Sequence, residues 1–272
     1  MAARLRNEDY IAFLDESEQD KLQVVAGVLI PARWLRPAER RWKDFIRDHV
    51  GSRSGRVELK SRKLLKGKGG AALHAQARIL ESGGAPLSIQ SAGWQLYREA
   101  LQHTARTSEL RVLTVALQAK RPLPAYRLWH AMAYAALVQR PHPPRPRLPL
   151  TIIDGEDAAF RGAHDLMAYR FYRHFAGHQP YIAAGPEWFV GGSAHQDSAL
   201  HPFVQTAYLV AGAARVALLG PQPPSTWYAT YLQDASKTHG RDVDISAYAL
   251  DCLKSLDPND LCASGWAGAR IV

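Results

Sequence analysis

The sequence predicts an α/β domain built on one mixed β-sheet that is flanked by helices. Its 272 residues are enough to bury a sizeable core, and 47% hydrophobic with 22% charged residues is the balance of a globular protein. Short apolar segments rich in β-branched residues alternate with segments whose apolar residues recur at helical spacing. Interleaved strands and helices of this kind are typical of a single layered domain with insertions.

The chain opens with two predicted strands. Residues 10–14 are apolar and run directly into an acidic cluster that begins at Asp15, which indicates a buried strand ending at a polar site. Residues 23–30 follow a short polar turn, so the two strands are expected to form an antiparallel hairpin. Pro31 is expected to end the pairing, and the apolar spacing over 33–50 predicts a helix.

The middle of the chain alternates basic, helical and extended segments. Residues 51–70 form a basic loop with one acid, Glu58, among seven cations, for which a solvated loop is the usual explanation. The pattern then predicts helices over 71–82, 94–107 and 125–139, strands over 87–90 and 110–117, and a stiff Pro-rich connector over 141–149.

The last third starts with an apolar strand at 150–153 that closes on Asp154. A helix is expected at 158–176, a strand at 181–190, a Gly-Gly-Ser turn at 191–193, and a buried helix at 202–219. Residues 1–220 are therefore interpreted as the domain, and 221–272 as a helical C-terminal extension packed on it.

Composition indicates what kind of molecule the protein binds and in which cellular compartment it is expected. The net charge of +9 favours a polyanion such as DNA or RNA, because binding releases condensed counterions. The two cysteines form no disulfide framework or zinc pattern. The sequence has no run of about 18 apolar residues and no signal-peptide core at its start, so we expect a cytoplasmic protein that binds no membrane.

Two predicted strands end on an aspartate, Asp15 and Asp154, while Glu58 lies in the basic loop and Asp197 precedes a predicted buried helix. A single strand-terminal aspartate most often caps a helix or turns the chain. Several carboxylates that converge, however, repel one another unless a cation neutralises them. Mg²⁺ or Mn²⁺ is the natural partner for such a group.

The order of short motifs resembles the DUF3800 family over residues 10–218. They are the Asp-Glu-Ser at Asp15 after a strand, the Glu-Leu-Lys at Glu58, the strand closing on Asp154, and the Asp-Ser at Asp197 ahead of residues 204–212. The resemblance implies a ribonuclease H-like fold whose acids hold divalent metal ions. It also implies an association with mobile elements or phage defence, with other subunits of such a complex as further partners.

Residue by residue, the resemblance makes Asp15, Glu58, Asp154 and Asp197 the metal ligands of a catalytic site. Lys60 would meet a phosphate, Ser198 would complete the Asp-Ser pair, and Gln205 would match a glutamine of the last motif. The family's final aspartate is replaced by Tyr208. A phenol is a poor ligand for hard cations, so either Asp197 or His195 compensates, or one metal is lost, or the fold is kept without the reaction.

The predicted function is therefore a metal-dependent nuclease or related phosphoryl-transfer enzyme. An electropositive entry for the nucleic-acid backbone is expected from the basic loop, namely from Arg56, Lys60, Arg62, Lys63, Lys66 and Lys68. The alternatives are a catalytically degenerate nucleic-acid-binding or scaffold subunit, which Tyr208 favours, and an interaction module for an acidic protein.

Weaker signals point to other metal sites. His174 and His178 have the i, i+4 spacing of two zinc ligands, but exposed helix histidines explain them as well. His195, Asp197 and His201 form a second His/Asp group, for which a helix cap at Asp197 or Ser198 is the simpler explanation.

Overall fold

The computed structural model describes residues 9–19, 22–51, 57–107, 110–118, 150–154, 193–196, 201–219, 226–227 and 269–271. The strands are β1 (Tyr10–Gln19), β2 (Leu22–Pro31), β3 (Arg111–Gln118), β4 (Leu150–Asp154), β5 (Ser193–Gln196) and β6 (Ala269–Ile271). The helices are α1 (Leu35–Val50), preceded by a 3-10 helix at Ala32–Trp34, then α2 (Ser61–Leu65), α3 (Gly70–Glu81), α4 (Ile89–Arg106) and α5 (Pro202–Leu219).

The strands form one mixed sheet in the order β5-β4-β1-β2-β3-β6. The predicted hairpin of β1 and β2 is present, and β3 continues the antiparallel ladder beside β2. On the other side of β1, β4 and β5 add in parallel. Both are parallel to β1, so the ends of these three strands point to the same edge of the sheet.

One face of the sheet is covered by α5 and α1. Phe13 of β1 and Val28 of β2 are paired in register and belong to one buried cluster with Phe203 of α5. The ring of His201 stacks on Phe13 with centroids 4.6 Å apart, and Arg215 near the other end of α5 donates to the carbonyl of Glu18 at 3.4 Å. Thus α5 runs alongside β1, in the same direction, over the acidic part of that strand.

Several predicted boundaries are wrong, for local reasons. The acidic cluster does not follow β1 but lies within it, because β2 pairs with it as far as Gln19. The strand predicted at 87–90 is instead the start of α4, where the Ser88 hydroxyl accepts from the N–H of Ser91 at 3.0 Å as an N-cap. Ser193, predicted to lie in the Gly-Gly-Ser turn, is the first residue of β5, and the extension predicted to be helical contains β6, which pairs with β3.

The basic segment also differs from the predicted solvated loop. Residues 57–60 run into α2, and Leu59, Ser61 and Leu64 are fully buried. The C-terminal end of α2 is closed by N–H donation from Gly67 to the carbonyl of Leu64 (3.1 Å) and from Lys68 to the carbonyl of Lys63 (2.8 Å), with Gly67 at φ +60°. The basic side chains are therefore held on a folded element.

Within the described residues, α5 is the one helix long and apolar enough to cross a bilayer. Of that stretch, 72% is buried inside the protein, and core helices meet the same criterion, so this is weak evidence for a membrane span.

Candidate functional site

The sheet brings the backbone positions of two predicted acids side by side. β1 and β4 pair in parallel up to Leu14 and Ile153, and Asp15 and Asp154 are the next residues on each strand. β5 pairs next to β4, with Gln196 opposite Asp154, and β5 ends at Gln196. Two acids that lie far apart in sequence, Asp15 and Asp154, thus belong to adjacent positions on neighbouring strands.

Asp15 faces the side of the sheet that α5 covers. It pairs with Ala26, and because opposite residues of an antiparallel pair share a face, its side chain lies on the same side as those of Phe13 and Val28. The side chain is half-buried, and its Oδ1 accepts from the N–H of Glu16 at 2.7 Å. Glu16 points to the other face and is exposed.

Glu58 reaches the same side of the sheet through a tether to α5. The buried N–H of Leu59 donates to Oε1 of Gln205 at 3.2 Å. Gln205 is 5% exposed and Leu59 is fully buried. This bond fixes the short extended segment 57–60 against α5, and it gives Gln205, predicted only from the order of motifs, a definite structural role.

Glu58 is paired with the lysine two residues later. Lys60 Nζ lies 2.8 Å from Glu58 Oε1, and the two side chains are 35% and 21% exposed. A partly exposed pair of this kind adds little to stability. It keeps the Lys60 ammonium beside a carboxylate of the predicted site, where it can contact a bound phosphate or hold Glu58 in place.

The further cations divide into two groups. Arg62 is exposed but donates to the carbonyl of Glu18 at 3.0 Å, which ties α2 to β1. Lys63, Lys66 and Lys68 are exposed, and no acid of the described part of the chain pairs with them. Arg56 lies outside the described residues.

Two buried polar side chains that the sequence did not indicate, Tyr97 of α4 and Arg215 of α5, lie next to these elements. The Tyr97 hydroxyl donates to the Leu209 carbonyl at 2.6 Å, and burial raises the pKa of Tyr97 well above its usual value. Arg215 is 2% exposed and donates to Gln19 Oε1 at 3.0 Å. The one sequence signal is Gly212, where a Cβ would meet both Ser61 and Tyr97.

Tyr208 follows Gln205 by three residues, so it lies about one turn further along α5, and it is half-buried. On the helix that covers Asp15, this position therefore offers a phenol where the resemblance implies a carboxylate.

The donor chemistry near Asp15 and Glu58 suits a hard cation, since both are carboxylates with part of their surface open to solvent. Among the residues described by the structure, no group of three His, Cys, Asp or Glu side chains could hold a metal ion. The described residues include Asp15 and Glu58, whereas the side chain of Asp154 and all of Asp197 and Ser198 lie outside the described part, as do His174 and His178.

Comparisons with protein-family models, with curated proteins and with solved structures found no match to this chain.

Proposed function

We propose that this chain is a divalent-metal-dependent nuclease, or a related phosphoryl-transfer enzyme acting on nucleic acid, with a ribonuclease H-like sheet. The single observation that carries the proposal is the parallel pairing of β1 with β4, which aligns the positions of Asp15 and Asp154. The sheet is antiparallel from β1 through β2 to β3 and parallel from β1 through β4 to β5, which also supports this proposal.

In this proposal Asp15, Glu58, Asp154 and Asp197 hold Mg²⁺ or Mn²⁺. When bound, such ions supply a nucleophilic water and stabilise the charge on the departing oxygen of a phosphodiester. Lys60 contacts a phosphate at the site, and the exposed lysines of α2 and its C-terminal turn attract the nucleic-acid backbone. A cytoplasmic location, expected from the apolar pattern of the sequence, belongs to the same proposal. A role in phage defence or a mobile element also belongs to it and follows from the resemblance alone.

The test is cleavage of single- and double-stranded DNA and RNA with Mg²⁺ or Mn²⁺ and with EDTA. Asp15→Asn, Asp154→Asn and Glu58→Gln should each bring cleavage to background. Glu81→Gln is the matched control, because Glu81, like Glu58, forms an ion pair with a cation nearby in sequence, in this case Arg78 at 3.3 Å. Cleavage that persists in Asp15→Asn and Asp154→Asn would refute the enzyme proposal.

Tyr208 favours a second candidate, a catalytically degenerate nucleic-acid-binding or scaffold subunit. A protein of this kind binds nucleic acid in EDTA and keeps that binding in Asp15→Asn. Tyr208→Asp separates the two candidates, since a degenerate site regains metal-dependent cleavage when the missing carboxylate is restored, whereas an intact site is active with the tyrosine in place.

A further inference from the structure

Helix α1 carries a narrow line of basic side chains on its solvent side. Together with Arg33 of the preceding 3-10 helix, this α1 basic line consists of Arg36, Arg40, Lys43 and Arg47, and all five are exposed. The spacings of four, three and four residues keep the four α1 members within an arc of about 60° at 3.6 residues per turn. The opposite side of α1 packs into the core through Ala38, Trp42 and Phe45.

The positive charge of the line is concentrated at its N-terminal half. Lys43 pairs with Glu39 at 2.7 Å, and Arg47 pairs with Asp44 at 2.7 Å and Asp48 at 3.3 Å. Arg36 and Arg40 form no ion pair with any residue in the described part of the chain. The first turn of α1, which includes Arg36, contains no acid, and a cation there opposes the helix dipole, so helix stability does not explain Arg36.

The geometry of the line fits a row of phosphates. Steps of three or four residues separate the cations by about 4.5–6 Å along the axis, and Arg36 to Arg47 spans about 16 Å. Arginine, which supplies four of the five cations, binds phosphate oxygens through its planar fork. A regular row of single charges is the pattern of a nucleic-acid backbone, whereas the acids of a protein surface are irregularly spaced.

We propose that the α1 basic line binds the sugar–phosphate backbone of nucleic acid, as a contact surface separate from the cations of α2. The inference rests on the proposed function only in taking nucleic acid as the ligand. It assigns affinity to α1 but no base specificity, because phosphate contacts carry no sequence information.

The experiment measures the affinity of the full chain for a labelled oligonucleotide, single-stranded and duplex, by fluorescence anisotropy in EDTA over a range of salt. Arg36→Ala/Arg40→Ala should weaken binding. Because two phosphate contacts are lost, the negative slope of log K against log salt should become shallower, by about 1.4 for the single strand or about 1.8 for the duplex. The control is Arg98→Ala/Arg106→Ala, which removes two exposed arginines of α4 that also form no ion pair within the described residues. It should leave the slope unchanged.

Equal slopes for Arg36→Ala/Arg40→Ala and the wild type, or an equal loss in the control, would overturn the assignment to α1. Binding of polyglutamate through Arg36 and Arg40, with no binding of either oligonucleotide, would overturn it in favour of an acidic protein. Metal-dependent cleavage by the wild type, lost in Asp15→Asn, is scored separately. If Arg36→Ala/Arg40→Ala leaves the slope unchanged while the wild type cleaves, only the α1 proposal is refuted. If the wild type binds with a steep slope that depends on Arg36 and Arg40 but does not cleave, only the nuclease proposal is refuted.

Discussion

Replacing Gly93 with alanine should destabilise the protein, because α2 passes too close to α4 for a methyl group. A Cβ at position 93 would lie 2.5 Å from the carbonyl oxygen of Leu64 and 3.3 Å from Cβ of Ala72. The carbonyl cannot turn aside without cost, since it accepts from the N–H of Gly67 in the C-terminal cap of α2. The clash therefore forces the two helices apart.

The expected size follows from two opposing effects. Overpacking of this kind costs about 1–3 kcal/mol. Alanine in place of glycine inside a helix returns about 1 kcal/mol. The net loss is up to about 2 kcal/mol, which lowers the melting temperature by up to about 8 °C in a domain of this size.

Urea unfolding and thermal melting, followed by circular dichroism, measure this loss. Gly70→Ala is the matched control, because a Cβ at position 70 of α3 would meet only the His74 ring, at 3.7 Å. It should be neutral or stabilising. If Gly93→Ala proves at least as stable as Gly70→Ala, the close packing of α2 on α4 is refuted.

Three further predictions concern buried polar groups. Gln205→Met should cost about 1–3 kcal/mol in urea unfolding, because it leaves the buried N–H of Leu59 without this acceptor; no loss would contradict the tether to α5. Burial raises the pKa of Tyr97, so above about pH 10 the unfolded chain loses a proton that the folded chain keeps, and stability should fall less steeply with pH in Tyr97→Phe than in the wild type. Burial lowers the pKa of His201 to about 4, so between pH 6.5 and 4 the unfolded chain gains a proton that the folded chain does not. The wild type should therefore lose more stability than His201→Gln over that range, and the exposed-site variant His74→Gln should behave as the wild type does.

The elements with strong local signals were predictable from the sequence. The hairpin of β1 and β2 follows from two β-branched runs around a short turn, and the bounds of α5 follow from a mostly apolar stretch that starts at Pro202. The predicted helix over 71–82 differs from α3 by one residue at each end. In these segments the local propensity and the tertiary environment agree.

The errors arise where contacts distant in sequence overrule the local pattern. The charges of Glu16 and Glu18 indicated the end of a strand. β1 nevertheless continues, because these two alternate residues are exposed while Ser17 between them is buried. The cations around Leu59 and Leu64 led to the prediction of a solvated loop, although this segment is folded. Leu59 and Leu64 are buried because they pack in one cluster with residues of α4 and α5. Because the bond between Leu59 and Gln205 joins residues 146 positions apart, no local pattern encodes it.

The candidate site and the stability of the core are coupled through α5. Asp15 lies on β1, and α5 packs along this strand. Glu58 lies on the segment before α2, and α5 holds this segment in place through Gln205. Arg62 and Arg215 both donate to the carbonyl of Glu18, so α2 and α5 are also joined at the far end of β1. Changes at Gln205 should therefore disturb activity and stability together. The exposed arginines of α1 lie outside this network, so replacing them should leave the acids in position.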